Sequence, residues 1–504
     1  MLSRLSRPPI LLAVSACAAA AMVNNQSLWI DEAVTASYAS KPTFDAWLRA
    51  MFETRWSEAM MPLYTLVAWI SGRLIGTEEW QLRSLNVLWT AFAGLAMGLA
   101  GRRLNLPLLL PFFLIQPFLW YYTNEARPYA MQICAAAWLL YGIASLASNP
   151  ADSRPTAWIL ASAAVVGFGS SLLFGFALPA LLAAVWFACR DIEANRFPPS
   201  TQWFLPLVVS LIALATLTGY YFWTLQRGAS GARIWNVSLA NTGFAFYELL
   251  GFGGLGPPRN ELREQARSSG LLHLLLQPRH LIGLGLLAAA CGVVCWRLWL
   301  ARWDRTIAWA GMFVVTQTVL LFAVCSVARF PFWGRHLAPA LPFIVLLTAR
   351  LLAPKDQNSR LASRMTASIL GACLLFSCLI LRFDPAYGKD DYRTASQLAA
   401  DAVSKGKIIW WNADPEAAAY YGLRGAFPPS DDSHLLFCNA PSLETLNLLP
   451  TPDIVFQSKP DVYDPQIAVK TYLDRNGYVT AHEFPAFKVW TRKNAGHAAE
   501  PTRL

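Results

Sequence analysis

The chain has 504 residues, of which 55% are hydrophobic and only 14% are charged, whereas an ordinary soluble domain is about 25% charged. The mean hydropathy of +0.36 excludes a disordered chain. The net charge of +10 lies on an apolar background, which excludes a typical basic nucleic-acid-binding protein. The composition therefore indicates a polytopic membrane protein.

Apolar segments recur along the first 382 residues. A spanning helix needs about 20 mostly apolar residues, with about 17–25 the usual range. The predicted spans are 8–24, 84–101, 105–122, 128–148, 156–174, 176–189, 203–224, 281–299, 307–328, 336–353 and 366–382. The apolar segment 62–76 is shorter, and we expect it to form a helix that lies along the membrane surface.

Basic residues in the short connections set the predicted orientation. They fall in every second connection, at Arg4 and Arg7, Arg102 and Arg103, Arg154, Arg190 and Arg196, Arg297 to Arg305, and Lys355 to Arg364. The positive-inside rule then predicts eleven spans with the N-terminus in the cytoplasm. It places the outer loops 25–83 and 225–280 and the tail 383–504 outside. The alternative for the first span is a cleaved signal peptide.

The charge balance divides the chain into a membrane domain, 1–382, and an extracytoplasmic α/β domain, 383–504. The first has a basic excess, and the second is slightly acidic. The tail predicts, in order, a helix at 391–404, a strand at 407–411, a helix at 414–421, a strand at 453–457, a helix at 465–475 and two short strands within 478–491.

Two adjacent carboxylates, Asp31 and Glu32, follow the first predicted span by a few residues. A partly desolvated carboxylate at a membrane surface is suited to proton transfer. The alternative is a solvated helix start, because acids favour helix N-termini. The two residues by themselves leave both interpretations open.

The very short connection between spans three and four carries Glu125, Arg127 and Tyr129. Ionisable groups at the ends of apolar helices are costly unless they are paired or functional. This connection therefore predicts either a functional site or a Glu125–Arg127 ion pair within an aromatic belt.

A third outer connection joins spans nine and ten and contains Arg329, Arg335 and His336. Basic residues usually prefer cytoplasmic connections, so arginines on the outer side indicate a binding site for an anion, such as a lipid-linked phosphate. His336 has the alternative of a backbone-bonded interfacial residue.

Cofactor signatures are weak. Residues 251–256 fit the glycine pattern of a dinucleotide site, but Pro257 and Pro258 follow them and the strand–turn–helix context is missing. His and Cys residues show no zinc-site spacing. The sequence predicts neither a cofactor nor a metal.

Several short motifs together resemble the bacterial GT-C glycosyltransferases of the protein O-mannosyltransferase and aminoarabinose-transferase superfamily, particularly the galacturonosyltransferase-like branch. They are residues 29–32, 61–64, 76–79, 82–83, 124–129, 334–339 and 389–393. Many relatives have His where this chain has Met61, so no metal role is carried over to that position.

The resemblance implies the roles of individual residues. Asp31 matches the acidic residue implicated in catalysis, and Glu32 is its neighbour in the predicted catalytic pair. Donor-phosphate or substrate binding is implied for Tyr64, Arg83, Glu125, Arg127, Tyr129, Arg335 and His336.

The resemblance also implies an activity. The family transfers one sugar from a polyprenyl-phosphate carrier to a lipid, glycan or protein acceptor at the outer face of the bacterial inner membrane. Neither the sugar nor the acceptor follows from the motifs. The alternatives are a flippase or transporter of polyprenyl-linked lipids, and a non-catalytic membrane scaffold. No nucleic-acid partner is expected.

Overall fold

The structure is a computed structural model that describes residues 7–54, 56–148, 153–190, 201–228, 237–259, 261–262, 277–300, 304–354, 357, 360–424 and 433–493. The chain divides into two compact units. The first contains Met1–Asn24 and Tyr38–Asp384, and the second contains Asn25–Ser37 and Pro385–Leu504. A short N-terminal segment therefore belongs to the same unit as the tail.

The regular secondary structure of the first unit is helical within its described residues. The helices up to its end are α1 (Pro8–Met22), α2 (Ile30–Ala39), α3 (Phe44–Glu53), α4 (Pro62–Leu74), α5 (Glu79–Arg103), α6 (Leu109–Leu114), α7 (Pro117–Thr123), α8 (Tyr129–Ser148), α9 (Ser153–Ser170), α10 (Ala177–Cys189), α11 (Thr201–Gln226), α12 (Leu239–Leu249), α13 (Pro278–Leu300), α14 (Arg305–Val327), α15 (Leu341–Leu352) and α16 (Arg360–Phe383). Most of α2 belongs to the second unit.

Eight segments within the described residues are long and apolar enough to cross a membrane. They are Glu79–Arg103, Tyr129–Ser148, Leu172–Cys189, Gln202–Gln226, His280–Trp299, Arg305–Val327, Gly334–Leu352 and Arg360–Phe383. Each coincides with a predicted span, which confirms the polytopic α-helical class. The helix α4 has 13 residues and matches the short helix expected at 62–76.

The three remaining predicted spans take other forms. The helix α1 has only 15 residues. The 18 residues of α9 include Arg154 and several small side chains, which lower its hydropathy. The predicted span 105–122 is broken into α6 and α7, because Pro117 lacks a backbone N–H and forces the preceding Gln116 into an extended conformation (ψ 119°).

Small residues let α1 approach α5 closely. A Cβ added to Gly94 would collide with the side chain of Ser15, and one added to Gly98 would lie 3.0 Å from Leu11. Ser15 and Leu11 are both buried. Close backbone approach through small residues is the usual way in which helices pack where lipid removes the hydrophobic driving force.

The second unit has a five-stranded sheet in its described residues, in the order β2-β1-β3-β5-β4. The strands are β1 (Ile409–Asn412), β2 (Leu435–Phe437), β3 (Ile454–Ser458), β4 (Tyr478–Phe484) and β5 (Phe487–Arg492), and the helices are α17 (Tyr392–Ser404), α18 (Pro415–Tyr420), α19 (Leu443–Leu448), α20 (Pro460–Tyr463) and α21 (Ala468–Arg475). The strand β1 is parallel to β2 and β3, whereas β5 pairs antiparallel with β3 and β4.

Both faces of the sheet are covered. Trp411 packs with Tyr392 and Phe487 on one face, and its neighbour Trp410 packs with Tyr472 on the other. Successive residues of a strand point to opposite faces, so two adjacent tryptophans supply both cores. The seven elements predicted for the tail are all present, whereas the three-residue β2 and the short helices α19 and α20 were not foreseen.

The predicted orientation is tested by single-cysteine labelling in a cysteine-free background. Thr480 is exposed on β4, and Ser148 is exposed at the end of α8. With residues 383–504 outside and the basic connections inside, a membrane-impermeant maleimide should label Thr480→Cys in intact spheroplasts. Ser148→Cys should react only after lysis. The reverse pattern would contradict the orientation.

Candidate functional site

The two carboxylates singled out from the sequence lie in the first turn of α2. The backbone N–H groups of Glu32 and Ala33 both donate to the carbonyl of Trp29 at 3.0 Å. The Glu32 carboxylate reaches back to accept from the Trp29 N–H at 3.4 Å, as the third residue of a capping box does. The turn therefore starts at Trp29, and its acids face the positive end of the helix dipole.

Glu32 forms an ion pair with a residue far along the chain. Its Oε2 lies 2.9 Å from Nζ of Lys389, and the two side chains are 0% and 5% exposed. Charges removed from water to this degree are tolerated only when they are paired. Asp31, the adjacent residue, is half-buried.

Further contacts within the second unit attach the segment before α2 to the start of α17. The backbone N–H of Arg393 donates to Ser27 Oγ at 3.1 Å, and the Arg393 guanidinium donates to the Asn25 carbonyl at 2.9 Å. The hydroxyl of Tyr421 accepts from the Leu28 N–H at 2.7 Å. Residues 25–32 are thus held along their length.

Lys459 contributes a second buried contact to the same segment. Its ammonium pairs with the Asp390 carboxylate and lies 5.1 Å from the centre of the Trp29 ring. A cation at this distance over an indole ring is stabilising. Lysines from two parts of the tail therefore hold the residues on both sides of Asp31.

In the first unit, Arg127 forms a buried ion pair with Glu58, a partner that the sequence did not indicate. Arg127 Nη1 lies 2.7 Å from Glu58 Oε1, with both side chains less than 5% exposed. Ser57 donates to the same carboxylate oxygen at 3.2 Å and accepts from Arg127 Nη2 at 3.2 Å. Nothing around Glu58 in the sequence marks it as the partner.

The connection that contains Glu125 is held by amide side chains. The Asn86 amide donates to the carbonyls of Thr123, at 3.3 Å, and Glu125. Asn124 Oδ1 accepts from the Asn24 N–H at 2.9 Å. Arg83, fully buried, donates to the Asn24 carbonyl at 3.0 Å, so this predicted binding residue bonds to the backbone at the end of the first helix.

Two arginines and two glutamates from separate connections share one electrostatic environment. We call Glu125, Glu248, Arg259 and Arg335 the arginine cluster. Both glutamates act on Arg259, and both arginines act on Glu248. Arg259 also donates to the Tyr121 hydroxyl at 3.3 Å. The predicted residues Glu125 and Arg335 therefore belong to one cluster.

Glu248 is the carboxylate at the centre of this cluster. Burial raises its pKa above the usual range, whereas Arg259 and Arg335 and a hydrogen bond from Tyr122 lower it. The Tyr122 hydroxyl donates to Glu248 Oε2 at 3.4 Å. The predicted residue Tyr129 lies against Tyr122, with ring centres 4.9 Å apart.

Gly334 makes room for Glu248. A Cβ added there would lie 2.7 Å from Glu248 Oε2 and 2.9 Å from the Ala245 carbonyl, so a larger residue would push the carboxylate away. Next to it, His336 is buried, accepts from the Trp333 N–H at 3.4 Å and lies 5.3 Å from the Phe330 ring. This is the backbone-bonded alternative left open for His336.

Tyr64 lies in a hydrophobic cluster with Met61, Ala68, Leu85 and Met131. Within the described ranges, no group of three or more His, Cys, Asp or Glu side chains is placed to hold a metal ion. The glycine-rich residues 251–256 form turns, in which the Gly254 N–H donates to Ser377 Oγ at 3.0 Å.

No family model matches this chain, and no curated protein does. Among solved structures it is similar to ArnT from Cupriavidus metallidurans bound to undecaprenyl phosphate, at 11% identity and a TM-score of 0.49 over 97% of this chain and 99% of that chain. The same protein in the apo state gives 12% identity and a TM-score of 0.48 over 97% and 98%.

The Arg127–Glu58 pair predicts a large loss of stability on single substitution. Arg127→Met leaves the Glu58 carboxylate buried without its counter-charge, which costs about 3–5 kcal/mol. The double variant Arg127→Met/Glu58→Met should recover much of the loss. Unfolding followed by tryptophan fluorescence in detergent measures both.

The matched control is the exposed pair Lys405–Asp401, whose side chains are 62% and 60% exposed. Lys405→Met should change the free energy of unfolding by about 1 kcal/mol or less. Equal losses in Arg127→Met and Lys405→Met would contradict a structural role for the buried pair.

Proposed function

We propose that this protein is a membrane glycosyltransferase that moves a single sugar from a polyprenyl-phosphate-linked donor to a lipid, glycan or protein acceptor. The observation that carries the proposal is the arginine cluster. Arg335 lies at the start of the apolar segment Gly334–Leu352, which is long enough to span a bilayer, and charged groups in such a position are rare and commonly mark a substrate site. A phosphate attached to a lipid is an anion that such cations would bind.

The chemistry requires two groups. The acceptor hydroxyl oxygen attacks the anomeric carbon of the sugar, while the bond from that carbon to the phosphate oxygen breaks and polyprenyl phosphate leaves with the electron pair. Arg335 and Arg259 stabilise the charge on the leaving phosphate. Asp31 takes the proton from the acceptor hydroxyl.

Arg127 is a weaker candidate for the phosphate contact than Arg335. The Arg127 guanidinium bonds to Glu58 and Ser57, whereas Arg335 is half-buried and faces a glutamate whose pKa is raised by burial. Protonation of Glu248 would release its arginine partners to an incoming phosphate.

The rival function is a flippase or transporter of polyprenyl-linked lipids, which would need ionisable residues near the middle of the spans. The charged residues of the arginine cluster lie instead outside the middle of the spans. Glu125 and Arg335 are in the connections before α8 and α15, and Glu248 and Arg259 lie between α11 and α13. Transfer of radiolabel from polyprenyl-phosphate sugars to a panel of acceptors by the purified protein distinguishes them. A transporter or a scaffold would transfer none.

Asp31→Asn keeps the shape of the side chain and removes the proton acceptor. General-base catalysis contributes about 10²–10⁴-fold, so we expect kcat to fall by about that factor with little change in donor binding. The acidic limb of the wild-type pH profile should disappear. The control is Asp45→Asn, because Asp45 is an exposed acid in the first turn of α3. Wild-type turnover in Asp31→Asn would contradict the role.

Arg335→Ala should weaken donor binding, because its proposed partner is charged in the ground state and the transition state alike. A hydrogen bond to a charged group contributes about 1.5–3 kcal/mol, so we expect donor KM to rise roughly 10- to 100-fold with a smaller change in kcat. Arg329→Ala, at an exposed position in the same connection, is the control. An unchanged donor KM in Arg335→Ala would exclude the phosphate contact.

A further inference from the structure

We infer that the tail takes part in catalysis by positioning Asp31 through the buried Glu32–Lys389 ion pair, which makes Lys389 a positioning residue. The inference rests on the proposed function, because it assigns Asp31 the proton transfer. It adds a residue 357 positions away in the chain to the requirements of that step.

The first step of the argument concerns Glu32. Its side chain is fully buried, its carboxylate accepts from Lys389 at 2.9 Å and from the Trp29 N–H at 3.4 Å, and these bonds hold it inside the unit. A carboxylate in this state does not reach an acceptor substrate. Of the two adjacent acids, Glu32 therefore holds the turn, and the proposed function assigns the proton transfer to Asp31.

The second step concerns the backbone around Asp31. Asp31 and Glu32 are consecutive residues of one helical turn, so fixing the Glu32 side chain also limits the movement of the Asp31 Cα. On the other side, Trp29 lies under the Lys459 ammonium, which is itself paired with Asp390. Asp31 is thus fixed from both sides by lysines of the tail.

The third step concerns what the pair is for. A fully buried ion pair is a weak source of stability, because its desolvation cost offsets most of the attraction. It does restrict geometry, since each partner must stay where the other can neutralise it. Reactive groups must be held within a fraction of an ångström, and a misplacement of about 1 Å can cost roughly 10²-fold in rate.

The experiment compares substitutions of Lys389 in the full-length protein. Lys389→Met should lower kcat by about 10²-fold while donor KM stays unchanged, because the donor phosphate is bound by other residues. Lys389→Arg keeps the charge and should retain most of kcat. Lys405→Met removes an exposed lysine at the C-cap of α17 that pairs with Asp401, and this variant should turn over as the wild type does.

Loss of folding is separated from loss of positioning by a double variant. Glu32→Gln/Lys389→Gln removes both charges, so no ion remains buried without a partner, and it should be as well folded as the wild type by thermal unfolding. If the pair positions Asp31, this variant still shows the fall in kcat at unchanged donor KM, and its loss is no greater than that of Lys389→Met.

Wild-type kcat in the double variant or in Lys389→Met would overturn the inference. So would an equal loss in Lys389→Arg and Lys389→Met, since the charge would then be irrelevant. If the wild type transfers sugar, Asp31→Asn loses activity and Lys389→Met does not, only the positioning role fails. If the wild type transfers no sugar to any acceptor, the proposed function fails and the inference fails with it.

Discussion

Charge that leaves water must be neutralised by another charge, and the described residues of each unit contain buried ion pairs that meet this constraint. In the first, Arg127 and Glu58 are 2.7 Å apart; in the second, Lys389 and Glu32 are 2.9 Å apart. Each pair joins segments that the chain separates, so pairing decides which segments lie together. The Lys389–Glu32 pair fixes the neighbours of the first turn of α2, and the Arg127–Glu58 pair fixes those of the connection before α8.

The fold was largely predictable because its signals are local. The lengths of the apolar segments identify the spans. In the tail, helix-capping residues and the spacing of apolar residues predict α17, β1 and α18 within a few residues of their observed bounds. The predicted span 105–122 shows what the length of an apolar segment does not reveal, because the segment forms two helices and not one. Average hydropathy does not register that Pro117 removes a backbone donor, and a single proline divided one predicted helix into two.

The site was predictable only one partner at a time. Asp31, Glu125 and Arg335 were marked by their unusual position beside apolar segments. Lys389 falls in the resembling motif 389–393, but neither Glu58 nor Lys389 was predicted to be a pairing partner. An acid or a lysine in a polar stretch has the same local pattern whether it is exposed or buried. Pairing across 69 residues, as in Arg127–Glu58, or across several hundred leaves no periodic trace in a single sequence.

The second unit is built from an early and a late part of the chain, and this has a consequence for biosynthesis. Its residues 25–37 are made early, and Lys389 follows Glu32 by 357 residues. At about 5–20 residues per second, the ribosome needs roughly 18–70 s to supply the counter-charge of Glu32. During that time the membrane helices emerge in full while the acid turn has no tail to pack against. A chain truncated just before residue 389 would therefore contain every predicted span but would lack the Lys389 ammonium that neutralises Glu32 in the complete protein.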